Sequence, residues 1–350
     1  MLGLVVVGGL TQVYLGGRDA NRIVDHTTAL NDNGRFAMEF FSRDLRMAGY
    51  FTCGGNSAHI ANAVDIPSGT DTQKFWFKLP TDANLPPIPL GIEGFEGGDT
   101  LPTTLSTLGV KEGTDVLVIR YADVRNLIDV DAGSLNTGAN TLTFDNPHYL
   151  NPGDIAVMNG ANCGQTTFFQ VTSAQDDTDG HYIGYGDSAG VGPGNCLPIP
   201  SGQYACAESP SLGYGIDNIT QADVDGAVIA KFSAHAFYVA DDPGNCGEIP
   251  ASCSVLSDCP TLFIIGNETN SSLPVLRNVS DMQVEYGLDD DSSSEGVDDY
   301  YPADRTWTRE DWLKVMSLRI SVTTHTEECR TAEFSTTVAI RNADNIVGAY

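Results

Sequence analysis

The sequence predicts an α+β fold in which a long N-terminal α-helix packs on an antiparallel β-sheet, with disulfide-stapled loops inserted between the strands. Three observations predict it. No proline occurs before Pro67, so nothing breaks the helical pattern of the first 50 residues. Short β-branched and aromatic runs bounded by Gly, Asn and Asp follow, which is typical of strands. Finally, 37 glycines, 17 prolines and eight cysteines suit a loop-rich globule held together by disulfides.

The predicted helix covers residues 1–50 and has two parts. Residues 1–17 are mostly apolar on all sides, whereas residues 18–50 place apolar side chains at helical spacings with charges between them. A helix of about 45 residues would be about 70 Å long. We expect the first part to lie in a membrane or filament core; a cleaved secretory signal is the rival interpretation. The residues assigned to membrane or filament-core packing are Leu4, Val5, Val6, Val7, Leu10, Val13 and Leu15, and those assigned to helix-to-globule packing are Phe36, Phe40, Phe41 and Leu45.

Residues 51–350 are predicted to form one β-rich globule. Residues 308–315 are predicted as a short helix, with Thr308 as N-cap and Asp311 as its reciprocal partner. Stretches rich in Gly, Pro, Ser and Asp, at about 80–112, 174–227 and 241–260, are predicted as insertions. Strands are predicted at residues 73–79, 116–121, 141–144, 155–158, 167–171, 228–240, 261–265, 279–286, 317–324 and 334–341.

The charge is strongly acidic, with 46 acidic residues against 18 basic ones and a net charge of -28. Such a surface repels phosphate backbones, which argues against nucleic-acid binding. It suits a saline exterior, where salt screens self-repulsion, and equally an ordinary acidic secreted protein. The first 50 residues hold five of the thirteen arginines, so the helix could contact the acidic globule of another subunit. These arginines are Arg18, Arg22, Arg35, Arg43 and Arg46.

The eight cysteines predict disulfides rather than a metal site, because no CxxC pair and no histidine at zinc-ligand spacing accompanies them. Loop length favours Cys196–Cys206, and Cys253 paired with either Cys259 or Cys246. Cys53 with Cys163 is a further pairing to consider. Eight cysteines allow 105 pairings, so spacing alone does not determine the connectivity. The disulfide candidates are Cys53, Cys163, Cys196, Cys206, Cys246, Cys253, Cys259 and Cys329.

Two motifs could carry chemistry. Residues 186–190 match the G-x-S-x-G pattern around Ser188, but the glycines and proline that follow do not favour the helix a nucleophile elbow needs. We therefore interpret them as a loop and predict no catalytic residue. The acidic run 289–299 places oxygen ligands at alternate positions, which suits calcium, although it departs from the EF-hand pattern. A solvated hairpin loop is the other interpretation. The proposed calcium ligands are Asp289, Asp291 and Glu295.

Seven segments stand out along the chain: NGRFA at 33–37, RDLRMAGYF at 43–51, VLVIRY at 116–121, AFYV at 236–239, DMQVEYG at 281–287, LRIS at 318–321 and FSTTVAIR at 334–341. Together these segments resemble PilW, a minor pilin of type IV pili. They occur in the order expected of that family and span most of the chain. The resemblance departs from pilin precursors at the N-terminus, where a basic leader and a glutamate-bearing apolar helix are expected. Met1 falls inside the hydrophobic helix, as if about ten mature residues preceded it.

The resemblance implies a pilin-like fold and a non-enzymatic subunit that takes part in pilus assembly, in a priming or tip complex, with adhesion as a further role. It implies a single-pass inner-membrane protein with a periplasmic domain, later part of the extracellular pilus. Other minor pilins, the major pilin, inner-membrane lipid and a surface ligand are the implied partners. A type II secretion minor pseudopilin remains an alternative. So does an adhesin or enzyme that uses the calcium loop or Ser188.

Overall fold

The computed structural model describes residues 2–51, 59–64, 76, 89–161, 165–186, 194–195, 224–242, 253, 258–267, 271–289, 296–303, 307–326 and 329–340. The helices are α1 (Leu2–Leu45), α2 (Thr103–Ser106) and α3 (Arg309–Leu313). The strands are β1 (His59–Asn62), β2 (Ile92–Phe95), β3 (Val116–Asp129), β4 (Leu135–Asn136), β5 (Thr141–Phe144), β6 (Ile155–Asn159), β7 (Gln165–Gln170), β8 (Ser173–Asp177), β9 (Gly180–Gly184), β10 (Val228–Asp241), β11 (Pro260–Gly266), β12 (Ser272–Arg277), β13 (Val279–Leu288), β14 (Asp299–Tyr301), β15 (Val315–His325) and β16 (Thr331–Ala339).

Helix α1 is continuous over 44 residues, as the absence of proline predicted. Its second half buries one stripe, at spacings of three, four and seven residues. The chain leaves the helix through a turn in which Gly49 adopts φ 73°, a conformation that favours glycine. The side chains that form the buried stripe are Leu30, Ala37, Phe41, Leu45 and, just past the helix, Ala48.

The largest sheet has eight strands and is organised around β10. Strands run in the order β1-β7-β6-β10-β11-β12, with β3 on the opposite side of β10 and β2 beside β3. Only the β1–β7 pair is parallel. The first half of β10 pairs with β6 and its second half with β11, while β3 covers most of the other side. This central position explains why most side chains of β10 are buried.

Two four-stranded antiparallel sheets complete the described part of the chain. One, here called the C-terminal sheet, has the order β14-β13-β15-β16. The other has the order β4-β5-β9-β8 and packs against the eight-stranded sheet over a second core, which includes Leu142, Ile183 and, from β10, Ile229. The main core lies where the C-terminal sheet, the eight-stranded sheet and the second half of α1 meet.

The predicted fold class, a pilin-like helix on one antiparallel sheet, is wrong. Among the described residues, strands account for 46% and helices for 21%, and these strands form three sheets. The buried half of α1 contacts β15 and β16 of the C-terminal sheet and also Phe237 of β10. The error arose because strand patterns in a sequence specify which face is buried and not which strands pair.

Two predicted insertions also contain regular structure. Residues 92–95 form the buried strand β2, although the stretch around them was predicted to be a surface excursion. Residues 173–184 form the hairpin β8–β9, which belongs to the sheet of order β4-β5-β9-β8. Proline, glycine and threonine content predicted loops here, but hydrogen bonding to neighbouring strands decided the outcome.

Most predicted strands are confirmed, and several extend by a few residues. Strand β5 has the predicted bounds, and β3 continues eight residues beyond the predicted end at Tyr121, to Asp129. Helix α3 is confirmed with its capping box, in which the Thr308 hydroxyl and the Asp311 carboxylate bond each other's backbone N–H groups. Trp76 lies in a turn rather than in a strand, and the other residues of 73–79 lie outside the described part of the chain.

The packing of α1 predicts a contrast between two phenylalanines five residues apart. Phe41 is fully buried, whereas Phe36 is 50% exposed. Phe41→Ala should lower the free energy of unfolding by about 3–5 kcal/mol, because it removes a buried ring and leaves a cavity. Phe36→Ala should change it by less than about 1 kcal/mol. Chemical denaturation of both variants measures the difference, and equal losses would contradict the packing described here.

Candidate functional site

The first half of α1, residues 2–29, projects from the globule and is here called the stem. Every stem side chain described is exposed, apart from a partly buried His26. Val7, Leu10 and Val13 are 61%, 66% and 75% exposed, respectively. Among the described residues, no helix meets the length and hydropathy expected of a membrane span. Of the predicted core-packing set, Leu15 is also exposed, and the side chains of Leu4, Val5 and Val6 lie outside the description.

The second half of α1, residues 30–45, is the anchor that attaches the stem to the globule. On one side Gly34 lies against the ring of Phe334 in β16, so closely that a Cβ at position 34 would overlap the ring. On the other side the rings of Phe40 and Phe41 lie edge-on to Phe237 of β10, with centroids 5.9 and 5.3 Å apart. The anchor is therefore held by two sheets at once.

The four residues predicted to pack the helix on the globule differ in burial. Phe41 and Leu45 are fully buried, and Phe40 is partly buried. Phe36 lies at the rim, where its ring stacks on Phe40 with centroids 6.1 Å apart. The reason is helical geometry: position 36 lies 100° from position 37, which faces the core.

A contact between polar side chains holds the end of the anchor against β10. The buried carboxylate of Asp44 lies 3.3 Å from Nδ1 of His235. Burial raises the pKa of Asp44, but the hydrogen bond and charge of His235, together with Arg43, outweigh it and place the pKa below its ordinary value. The ring of His235 also meets Tyr121 edge-on at 5.7 Å. A buried carboxylate thus holds the anchor against the central strand, beside the phenylalanine contacts.

Beyond the helix the chain passes directly over β3. The N–H of Gly49 donates to the carbonyl of Arg120 at 2.9 Å. Gly91 lies so close to the backbone of Gly49 that a side chain at position 91 would overlap it. The guanidinium of Arg120 is fully buried and pairs with Glu93 at 2.7 Å, while it donates to the carbonyl of Leu90 at 3.0 Å. Removing either charged partner would break a buried ion pair, which is strongly destabilising.

Asp115 links the eight-stranded sheet to the C-terminal sheet. Its carboxylate accepts from the N–H of Gly97 at 3.1 Å and from the N–H of Val284 in β13 at 2.8 Å. Burial raises the pKa of Asp115 to about 7, against the effect of these hydrogen bonds, and the charges of Glu96 and Asp281 raise it further. This carboxyl is therefore a titrating group where β2 and β3 meet β13, a contact here called the junction.

Tyr286 occupies the same junction. Its hydroxyl is fully buried and has no hydrogen-bond partner among the described residues. Burial raises the pKa of Tyr286 well above its ordinary value, and the charges of Asp115, Glu96 and Glu93 add to the effect. The ring fits because Gly94 opposite has no side chain. These contacts make the junction a structural link between the two sheets.

One disulfide joins Cys253 to Cys329, across 76 residues of chain. The local pairings predicted for Cys253, with Cys259 or Cys246, are therefore wrong, because tertiary structure brings a distant cysteine closer than loop length suggested. Cys259 is also disulfide-bonded. The remaining candidates, Cys53, Cys163, Cys196, Cys206 and Cys246, lie outside the described residues.

The two motifs considered for chemistry lie largely outside the described residues. Ser188 is outside them, as are Asp291 and Glu295 of the predicted calcium set. Asp289 directly follows β13, and its Oδ1 is buried without a hydrogen-bond partner among the described residues. No cluster of His, Cys, Asp and Glu with the geometry of a metal site occurs within the described part of the chain.

The sequence analysis did not identify the buried polar and charged side chains that link the anchor and the two sheets. Arg120 carried the clearest signal, because an arginine within the apolar run 116–121 must find a partner if the strand is buried. Asp44, Asp115 and His235 carried no comparable signal, since each stands in a segment of mixed polarity. Their roles depend on elements distant in sequence.

Comparison with known families gives one match. Residues 236–347 match the family model PilW, type IV pilus-assembly protein W. The match covers the four C-terminal segments on which the resemblance rested, so the prediction of a PilW-like type IV pilus protein is confirmed over this part of the chain. It supports involvement in type IV pilus assembly. No curated protein matches the chain, and no solved structure does.

The raised pKa of Asp115 predicts a specific pH dependence of stability. Because the folded state holds this proton to about pH 7 and the unfolded state only to about pH 4, raising the pH between those values costs stability through this group. In Asp115→Asn that contribution is absent. The free energy of unfolding of the wild type should therefore fall relative to the variant from about pH 4.5 to 7.5.

Denaturant titrations of both proteins at four pH values test this. Asp129→Asn in β3, an exposed carboxylate, is the matched control and should leave the pH profile unchanged. Parallel profiles for the wild type and Asp115→Asn would contradict the assignment.

Proposed function

We propose that this chain is a minor pilin of the PilW type, a non-enzymatic subunit whose stem packs against other pilus subunits while its β-rich globule stays in water. The observation that carries the proposal is the division of α1 into an exposed apolar stem and a buried anchor. The family match over residues 236–347 supports the same role.

The stem is costly to expose in water. Val7, Leu10, Val13, Tyr14 and Leu15 are each at least half exposed within nine residues. Apolar area contributes about 25 cal/mol per Å² when it is buried, and exposed clusters of this kind mark interaction surfaces. We expect these side chains to be covered first by inner-membrane lipid and then by the helices of other subunits.

The anchor suits this role because it makes the stem and globule one mechanical unit. A pull on the stem is resisted by Phe41 against Phe237, by Asp44 against His235 and by the Gly34–Phe334 contact. Dense packing transmits such a load without large internal movement. A subunit incorporated by its stem would therefore carry its globule in a defined orientation.

Location and partners follow from the same proposal. We place the globule in the periplasm before assembly and on the pilus afterwards, with other minor pilins and the major pilin as neighbours. The Cys253–Cys329 disulfide is compatible with an oxidising compartment. Adhesion to a surface ligand is an additional role that we propose for the exposed loops of the globule.

Substitutions in the stem test the proposal. Leu10→Asp with Val13→Asp should abolish incorporation into pili and co-purification with other minor pilins, because buried carboxylates oppose helix packing and membrane insertion. The free energy of unfolding of the globule should stay within about 0.5 kcal/mol, since both side chains are exposed.

The control Asn21→Asp adds a charge at an exposed stem position and should be assembled normally. Pilus counts and co-purification in the source bacterium, from which the native gene has been deleted, provide the readout. Normal piliation with the double variant would overturn the proposal. Loss of type II secretion with normal pili would instead support the pseudopilin alternative.

Calcium binding near Asp289 is a second candidate property. It is favoured by the Asp289 Oδ1, which is buried and without a hydrogen-bond partner among the described residues. We propose that this oxygen and the carboxylates of Asp291 and Glu295 bind one calcium ion.

Thermal unfolding with millimolar calcium tests this candidate. The wild type should gain several degrees in melting temperature, as expected when a ligand binds only the folded state. Asp289→Asn with Asp291→Asn should lose that gain, whereas Asp129→Asn, exposed elsewhere, should keep it. An equal shift in all three proteins would show that the calcium effect is non-specific.

A further inference from the structure

The outer edge of the C-terminal sheet is a long strand that no described element pairs with. Strand β16 has nine residues and forms a continuous ladder with β15, without any register shift. Its other side has no strand partner among the described residues. Unpaired strand edges are templates for pairing with another chain, and proteins usually protect them.

Other edge strands of the described residues carry such protection, and β16 does not. Strand β12 contains Pro274 and is paired through a register shift, while β8 carries Asp176 and Asp177. Strands β1, β2, β4 and β14 have four residues or fewer. By contrast, β16 has no proline, and Glu333 is its single charged residue.

The hydrogen-bond register identifies which backbone groups are free. The backbone N–H of Ile340 donates to the carbonyl of Met316 at 2.8 Å, and the backbone N–H of Thr326 donates to the carbonyl of Arg330 at 2.9 Å. In an antiparallel ladder the hydrogen-bonded positions alternate. Even-numbered residues of β16 therefore face β15, and the N–H and C=O groups of the odd-numbered ones point to the open edge. The odd-numbered residues are Thr331, Glu333, Ser335, Thr337 and Ala339.

We propose that the β16 edge is a homotypic docking surface, at which β16 of a second copy adds in antiparallel orientation and makes one sheet of eight strands. The register with the greatest overlap is centred on Ser335. It places Thr331 opposite Ala339 and Glu333 opposite Thr337, so no two like charges meet.

The charge close to the β16 edge permits docking of a second copy, although the whole chain has a net charge of -28. Strands β15 and β16 contain one arginine, Arg319, and one glutamate, Glu333, so the surface beside the edge is close to neutral. Charges elsewhere on the globule are screened beyond about 8 Å at physiological ionic strength. The surface does not involve the stem, and the inference is therefore independent of the proposed function.

Cysteine cross-linking tests both the contact and its register. In the proposed pairing the two Ser335 residues are opposite each other, with Cα atoms about 5.5 Å apart, a separation that permits a disulfide. Full-length Ser335→Cys in detergent should form a covalent dimer under mild oxidation. Thr331→Cys should not, because two copies of position 331 would lie about 27 Å apart.

A second pair of variants removes the edge hydrogen bond without cysteine chemistry. Ser335→Pro deletes an N–H that points away from β15 and is tolerated at an edge, whereas Ser335→Ala keeps it. Only the proline variant should reduce dimer formation in sedimentation experiments, and salt should strengthen the wild-type dimer by screening repulsion.

Cross-linking of Ser335→Cys should also occur when Leu10→Asp and Val13→Asp are present, because these substitutions block association through the stem but leave β16 unchanged. Cross-linking of Ser335→Cys and Thr331→Cys to the same extent, or of neither, would overturn the proposal. So would a wild-type chain that stays monomeric at all concentrations tested. A dimer lost with the stem substitutions alone would mean that the stem, and not β16, holds the copies together.

Discussion

The contact between the second half of α1 and two different sheets is the constraint on which the rest of the structure depends. Phe41 is fully buried against Phe237 of β10, and Gly34 admits Phe334 of β16. Neither sheet alone covers the apolar stripe of the helix, so the helix brings the two sheets together as it buries that stripe. The eight-stranded sheet, the C-terminal sheet and the stem therefore share one core.

Buried polar and charged side chains accompany the apolar contacts of this shared core. Arg120 with Glu93, Asp44 with His235, and Asp115 with its two backbone donors each link elements distant in sequence. Buried charges of this kind contribute little net stability, yet they penalise arrangements in which a partner is missing. They are suited to holding α1, β2, β3 and β13 in one relative position while apolar contacts supply most of the stability.

This architecture relates the proposed role to the distribution of surface. The acidic globule favours solubility, whereas the stem exposes apolar side chains that favour association. The long unprotected edge at β16 is on the globule and offers a second, backbone-mediated contact. A protein with both could associate through its helix and through its sheet, by interactions that differ in salt dependence and in geometry.

The sequence by itself determined the local elements: the uninterrupted helix, most strands, the capping box at Thr308 and the apolar stripe through Phe41. These follow from proline placement, periodicity and capping chemistry, which act over a few residues. Tertiary structure alone decided which strands pair, that Cys253 bonds Cys329, and which partners Asp44 and Asp115 find. Those outcomes depend on contacts between residues tens to more than a hundred positions apart. A local sequence pattern does not specify which distant residues come into contact.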